Sequence, residues 1–235
     1  MKTADMTESQ EFLAFLKEWV AGLPRLGLKE AVRQAENTAL VSVDVINGFC
    51  KAGPLASPRV ARIAAPVAGL MQRAWEAGVR HILLTQDTHD PEAVEFGSWP
   101  AHCVRGTAEA QAVDEIRALP FYDHMVTIEK NSIASQMNTG LAAWVEAHPQ
   151  VDTYLVVGDC TDLCVYQLAM YLRLDANARQ IQRRVIVPVD CVDTYDYPLA
   201  AARENGGLPH PGGLLHEVFL YHMALNGVEV VAGIS

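Results

Sequence analysis

Three residues suited to acyl transfer stand out against apolar runs, Asp44 inside one and the others at their ends. Asp44 lies in ALVSVDV (39–45), Lys130 closes the run in TIEKNS (127–132), and Cys164 sits in GDCTDLCVYQ (158–167), where a buried strand turns into a helix. A carboxylate among valines is costly unless a cation or hydrogen-bond donors compensate it. A cysteine at a helix start meets orphan backbone N–H groups and the positive end of the helix dipole, which favour a thiolate. Taken singly, each residue also has a plain structural reading: a turn-capping carboxylate, a solvated strand end, an inert buried thiol. Together they form a working set. The aspartate takes the thiol proton, the lysine keeps the aspartate ionised and offsets the thiolate, and the sulfur attacks a carbonyl carbon. Backbone N–H groups in the turn can hold the resulting oxyanion, and loss of one such donor typically costs ~3 kcal/mol. No histidine is placed in the sequence to pair with the cysteine.

A second constellation is TQDTHDPEAVEFGSWPAHC (85–103). Asp87 and His89, two apart after a strand, point the same way in extended backbone. His102 returns later, with Glu95 between. Carboxylate and imidazole donors suit Zn²⁺, Fe²⁺ or Mn²⁺ better than Mg²⁺ or Ca²⁺. Phe96 and the Trp99-Pro100 pair add an aromatic wall, or simply pack the loop.

These residues need a scaffold, and the hydrophobic pattern describes one. Apolar strand-like runs at 39–45, 79–87, 125–128, 153–158, 183–189 and 228–234 alternate with helical stretches at 57–78, 108–118, 141–147, 163–174 and 214–225. Six such alternations predict an α/β fold, a three-layer α/β/α sandwich with a mostly parallel six-stranded sheet. Ligands of such sheets bind at the carboxyl ends of the strands, where Asp44, Asp87, His89, Lys130, Cys164 and the 190–193 stretch fall. Before this rhythm, Phe12, Leu13, Phe15, Leu16, Trp19 and Val20 make an apolar stripe at helical spacing, ended by Gly22 and Pro24, with a short helix at 28–35 to follow. An isolated helix of this length is marginal, so residues 1–37 read as a helical extension packed on the main domain, 38–235, or on another subunit.

The 235 residues allow one α/β domain with a sizeable core. A net charge of −10 argues against nucleic acid or an anionic membrane as the main partner. No apolar run reaches the roughly 18 residues of a membrane span, and the first 15 residues, which carry Asp5, Glu8 and Glu11, do not form a secretory signal. Five cysteines, an odd number spread over a long chain, suggest a reduced, cytoplasmic protein.

The motifs, taken in order, resemble the isochorismatase-like cysteine hydrolase superfamily, and most closely its nicotinamidase branch. VDVINGFC (43–50) resembles the D-x-Q-N-D-F segment, TQDTHDP and SWPAHCVRGT (98–107) the metal loop and its W-P-x-H-C-x-x-G-T continuation, and GDCTDLCV the G-x-x-T-D-x-C-V nucleophile turn. The resemblance runs from about Ala39 to the C-terminus. It implies an Asp44-Lys130-Cys164 triad and a divalent metal, zinc before iron or manganese, on Asp87, His89 and His102 with Glu95 as a fourth ligand. It also implies an oxyanion site on the N–H groups of Cys160 and Cys164, a cis peptide between Asp159 and Cys160, and a ring sandwich between Phe49 and Trp99. The implied reaction is hydrolysis of nicotinamide to nicotinate and ammonia through a thioester on Cys164, with the pyridine nitrogen on the metal. Ile46 replaces the usual glutamine, Gly48 the usual acidic residue, and the 89–99 loop is short, differences that bear on which small amide is the substrate. Rival readings are another small-amide hydrolase of the superfamily, a non-catalytic binding protein on the same fold, and a thiol redox pair of Cys160 and Cys164, whose C-x-x-x-C spacing departs from C-x-x-C. The aromatic stripe of the extension points to a homo-oligomer.

Overall fold

A computed structural model describes residues 6–235. The strands are β1 (Arg25–Leu26), β2 (Thr38–Val43), β3 (His81–Asp87), β4 (Val126–Lys130), β5 (Thr153–Asp159), β6 (Arg184–Pro188), β7 (Val192–Asp193), β8 (Glu229–Val231) and β9 (Gly233–Ile234). The main sheet has the order β4-β3-β2-β5-β6-β8, every pairing parallel, and β7 pairs with the end of β5. The sheet therefore has seven strands where six were expected. The extra one arises because the run 183–189 does not continue as a single strand. Pro188 has no N–H for the ladder; a 3₁₀ turn at Val189–Cys191 follows, and the chain re-pairs with β5 as β7.

Side chains alternate across the sheet and divide the core in two. Leu40 of β2 with Leu155 and Val157 of β5 face one cluster, packed by the helix Ala64–Glu76. Val41 and Val43 with Tyr154 and Val156 face the other, packed by the helices Leu141–Ala147, Cys164–Arg179 and Gly212–Leu225. Strands β2, β3 and β5 are buried along nearly their whole length, which is why they read as continuous apolar runs and not as alternating ones.

Some elements differ from the sequence reading. The stretch 57–78 forms two helices, Pro58–Ala61 and Ala64–Glu76, the first capped by Ser57, whose hydroxyl accepts from the Arg59 N–H at 3.3 Å. The expected helix at 108–118 shrinks to Asp114–Arg117. Its first half is engaged elsewhere: Asn47 and Gly48 donate to the carbonyls of Gln111 and Glu109, and Val113 donates to Val45. The last run, 228–234, leaves the main sheet after Val231, and its end, β9, pairs with β1 in a separate two-stranded sheet. Residues 6–37 thus pack closely on the rest: Leu26, Ala31 and Val32 join the first cluster, Trp19 and Leu23 lie against the second, and Phe12, Phe15 and Trp19 surround Tyr221.

One glycine is decisive for the site. Gly158 has φ +114°, and a Cβ there would overlap the carbonyl oxygen of Val43 on the neighbouring strand. Gly158→Ala is expected to destabilise the fold by about 2 kcal/mol or more, read as a lower urea midpoint at unchanged slope.

Candidate active site

The parallel register brings the chemistry together. β4, β3, β2 and β5 are neighbours, and Asp87 and Lys130, each the last residue of its strand, are direct partners across the ladder. Both lie in the two-residue alternation of Leu83 and Ile128 and so on the face of the second cluster, the one containing Cys164. β2 stops at Val43. Asp44 falls just beyond it, not within the strand, and takes a left-handed φ of 56°, a conformation aspartate tolerates better than most residues. From there one carboxylate oxygen accepts the Asp87 N–H at 2.8 Å and the other lies 2.8 Å from Lys130 Nζ.

Lys130 is the hub. Its ammonium is fully buried, touches the carboxylates of both Asp44 and Asp87, and sits 3.6 Å from Cys164 Sγ. Asp44, Asp87 and Cys164 have their ligand atoms within 4.8 Å of one another. Burial opposes the lysine's charge, but the two carboxylates outweigh it and hold its pKa well above the usual value. Burial, and then the charge of Asp87, push the Asp44 carboxyl up to about 7, against the pull of Lys130. The Cys164 thiol is also pushed up, mainly by burial, with Lys130 opposing. Cys164 is the first residue of its helix, as the sequence suggested, and desolvation there acts against the thiolate that a helix start favours.

Just before Cys164 in the chain, the Asp159–Cys160 peptide is cis. The Cys160 carbonyl accepts the N–H groups of Leu163 and Val165, while among the described residues neither Cys160 nor Cys164 donates its own N–H to a backbone acceptor in this turn. Cys160 and Cys164 both line the cavity. Asp159, which the sequence reading passed over as a functional group, is buried at the end of β5, and burial followed by the charge of Asp44 pushes its carboxyl well up.

Asp87, His89 and His102 place their donor atoms within 4.8 Å of one another. His89 Nδ1 faces the Asn131 side-chain oxygen at 2.8 Å and His102 Nδ1 faces the Pro100 carbonyl at 2.8 Å, so each Nδ1 carries hydrogen and each Nε2 is the ring nitrogen turned toward Asp87, at 3.6 and 3.9 Å. His89 Nε2 is buried and has no hydrogen-bond partner. An orphaned buried acceptor beside a second imidazole and a carboxylate is the chemistry a divalent cation satisfies, and the donor set fits one. Asn131 is the orienting residue that the sequence reading missed; only the fold brings it to His89. Glu95 lies on the same cavity but outside this three-residue cluster.

The cavity over these groups measures about 580 Å³. Phe49 and Trp99 both line it, with the Phe49 ring 5.7 Å from His102. Tyr195, Tyr197, Ile133 and Leu208 complete the apolar wall; none stood out in the sequence, because no motif marks them.

Residues 38–205 match the isochorismatase domain family. The chain belongs to this family. Within the isochorismatase family it is 30% identical to Nicotinamidase 1 of Arabidopsis thaliana over 220 residues, covering 85% of this chain and 87% of that protein. It is 32% identical to a nicotinamidase/pyrazinamidase of Mycobacterium tuberculosis over 180 residues, covering 71% and 92%. A solved pyrazinamidase of Pyrococcus horikoshii in complex with zinc superposes with a TM-score of 0.64 at 25% identity, over 83% of this chain and 98% of that one. The α/β fold of this chain is the one it shares with that solved pyrazinamidase.

Proposed function

We propose that this protein is a cysteine-dependent, metal-assisted amidohydrolase that converts nicotinamide and water to nicotinate and ammonia. It is a hydrolase of amide C–N bonds, in keeping with the curated nicotinamidases that share its family. The observation that carries the reading is the meeting of Asp44, Lys130 and Cys164, with Asp44 and Cys164 lining an aromatic cavity and Lys130 buried behind them, beside a donor set of two imidazoles and a carboxylate.

In the proposed reaction Asp44 takes the Cys164 proton as the sulfur adds to the carboxamide carbon. Lys130 stays charged throughout and offsets the negative charge of the sulfur. The oxyanion lies on the N–H groups of Cys160 and Cys164. On collapse the C–N bond breaks, Asp44 returns its proton to the leaving nitrogen, and ammonia departs from a thioester. Asp44 then deprotonates water, which adds to the thioester and releases the acid and the thiol. Phe49 and Trp99 hold the ring between them. A divalent ion on Asp87, His89 and His102, with zinc best suited to the donors, would supply a Lewis-acid anchor for a heteroaromatic nitrogen. All five cysteines are free thiols, consistent with a reducing cytoplasmic setting.

The test is ammonia release from nicotinamide, pyrazinamide and simple aliphatic amides, with and without a chelator. Turnover of nicotinamide should fall at least about tenfold on chelation and return with zinc; turnover indifferent to the chelator refutes the metal's role. A pH profile is a second check. Because Asp44 must be ionised to accept the proton and its carboxyl is pushed up to about 7, kcat/KM should be level above that pH and fall about tenfold per unit below it. An acid limb that appears only near pH 4 would mean that Asp44 acts with an ordinary carboxyl, and a limb unchanged in Asp44→Asn would remove Asp44 as the base.

A further inference from the structure

The excursion between β7 and the last long helix forms one side of the cavity through Tyr195, Tyr197 and Leu208, and among its anchors is a buried pair. His210 Nε2 lies 2.7 Å from Asp162 in the nucleophile turn, and His210 Nδ1 lies 3.0 Å from the Tyr195 carbonyl. Both partners are more than nine-tenths buried. The imidazole also stacks flat on the Tyr195 ring, with centroids 3.7 Å apart and planes 14° from parallel. Tyr197 and His210 exchange two backbone hydrogen bonds of 2.8 Å, closing the base of the excursion. The far edge of Tyr195 meets Trp99 at 6.2 Å, nearly perpendicular. Tyr195 is therefore held by ring stacking on one side and presented to the cavity on the other. His210 lies beyond the residues that match the family domain.

We propose that the Asp162–His210 pair is a positioning clamp that fixes Tyr195 as a third aromatic wall of the cavity, and that Tyr195 is a specificity-determining residue favouring flat aromatic amides over aliphatic ones. The inference rests on the amidase reading for its substrate class. A tyrosine ring on an untethered loop would lose rotamer freedom on each binding event, whereas a ring already stacked and anchored has lost it on folding. The contact forms with ground state and transition state alike, so its removal raises KM and leaves kcat nearly unchanged.

The experiment compares Tyr195→Leu, His210→Phe and His210→Gln in the full-length, zinc-loaded protein. Steady-state kinetics are measured on nicotinamide and on an aliphatic amide, and calorimetric nicotinamide binding is measured in a Cys164→Ala background. Tyr195→Leu and His210→Phe should each raise the nicotinamide KM and dissociation constant about three- to tenfold, the span of one aromatic contact. The aliphatic KM, and the rate at which iodoacetamide alkylates Cys164, should change less than about twofold. His210→Gln keeps a donor for Asp162 and should recover part of the loss. Combined, Tyr195→Leu and His210→Phe should be no worse than Tyr195→Leu alone, because both act through one ring. Unchanged KM and binding in the single variants overturn the clamp while the amidase reading stands. A fall in kcat and in alkylation along with binding also overturns it, since the pair would then be supporting the nucleophile turn. If the parent releases no ammonia but the variants still weaken nicotinamide binding, the amidase reading fails and the clamp survives. If the parent neither releases ammonia nor binds nicotinamide, both fall.

Discussion

Cys164→Ala should release ammonia from nicotinamide at least about 10⁴-fold more slowly than the parent, because loss of a covalent nucleophile removes the entire low-barrier route. The loss should appear in kcat. The ring would still lie between Phe49 and Trp99, which the substitution leaves in place, so the dissociation constant for nicotinamide should change little. The side chain removed is small and buried at the start of its helix, and the fold should tolerate the change. Equilibrium unfolding and calorimetry would separate these outcomes from simple misfolding. Mass spectrometry of the parent quenched during turnover should show a nicotinoyl adduct on Cys164. Ammonia release by the variant within about tenfold of the parent's rate would remove the sulfur from the reaction.

Lys130→Met should be damaging twice over. The ammonium is the shared counter-charge for two buried carboxylates, Asp44 and Asp87, and removing one member of a buried ionic cluster typically costs about 3–5 kcal/mol. Turnover should fall with it, since without the cation Asp44 shifts further toward its neutral form and ceases to be a base near neutral pH. The sign of the pH effect follows. A buried carboxyl whose folded pKa lies above its unfolded value destabilises the fold when ionised, so the variant should regain stability as pH falls from 8 toward 5. Adding Asp44→Asn to Lys130→Met should restore part of the stability and none of the activity. Urea titrations at several pH values provide the check. A variant as stable as the parent at pH 8 would show that the lysine is not the counter-charge.

The apolar strand runs were legible because parallel strands covered on both faces must be apolar nearly throughout, and the alternation with helices identified the fold class. Asp44, Lys130, Cys164, Asp87 and His89 stood out because charged or nucleophilic groups beside such strands contradict their surroundings, and His102 stood out as a second imidazole returning in the following loop. Less was visible where the backbone itself decided. Pro188 divides one run into β6 and a turn before β7. Residues 108–113 give up helix to bond with 45–48, a competition that no local pattern reveals.

The amino-acid sequence alone determined which groups are present and which end of each strand carries them, since both follow from local pattern. Only the tertiary structure decided that Asp44 steps off its strand to reach Lys130, that Asn131 turns His89 toward Asp87, and that Tyr195 stacks on His210. Those outcomes depend on distances between residues remote in the chain. They also bear on proton affinity: burial pushes the Cys164 thiol up, and burial with the charge of Asp87 raises the Asp44 carboxyl to about 7. A helix start read in isolation suggests a thiolate, because desolvation is a property of the packed interior and has no local signature.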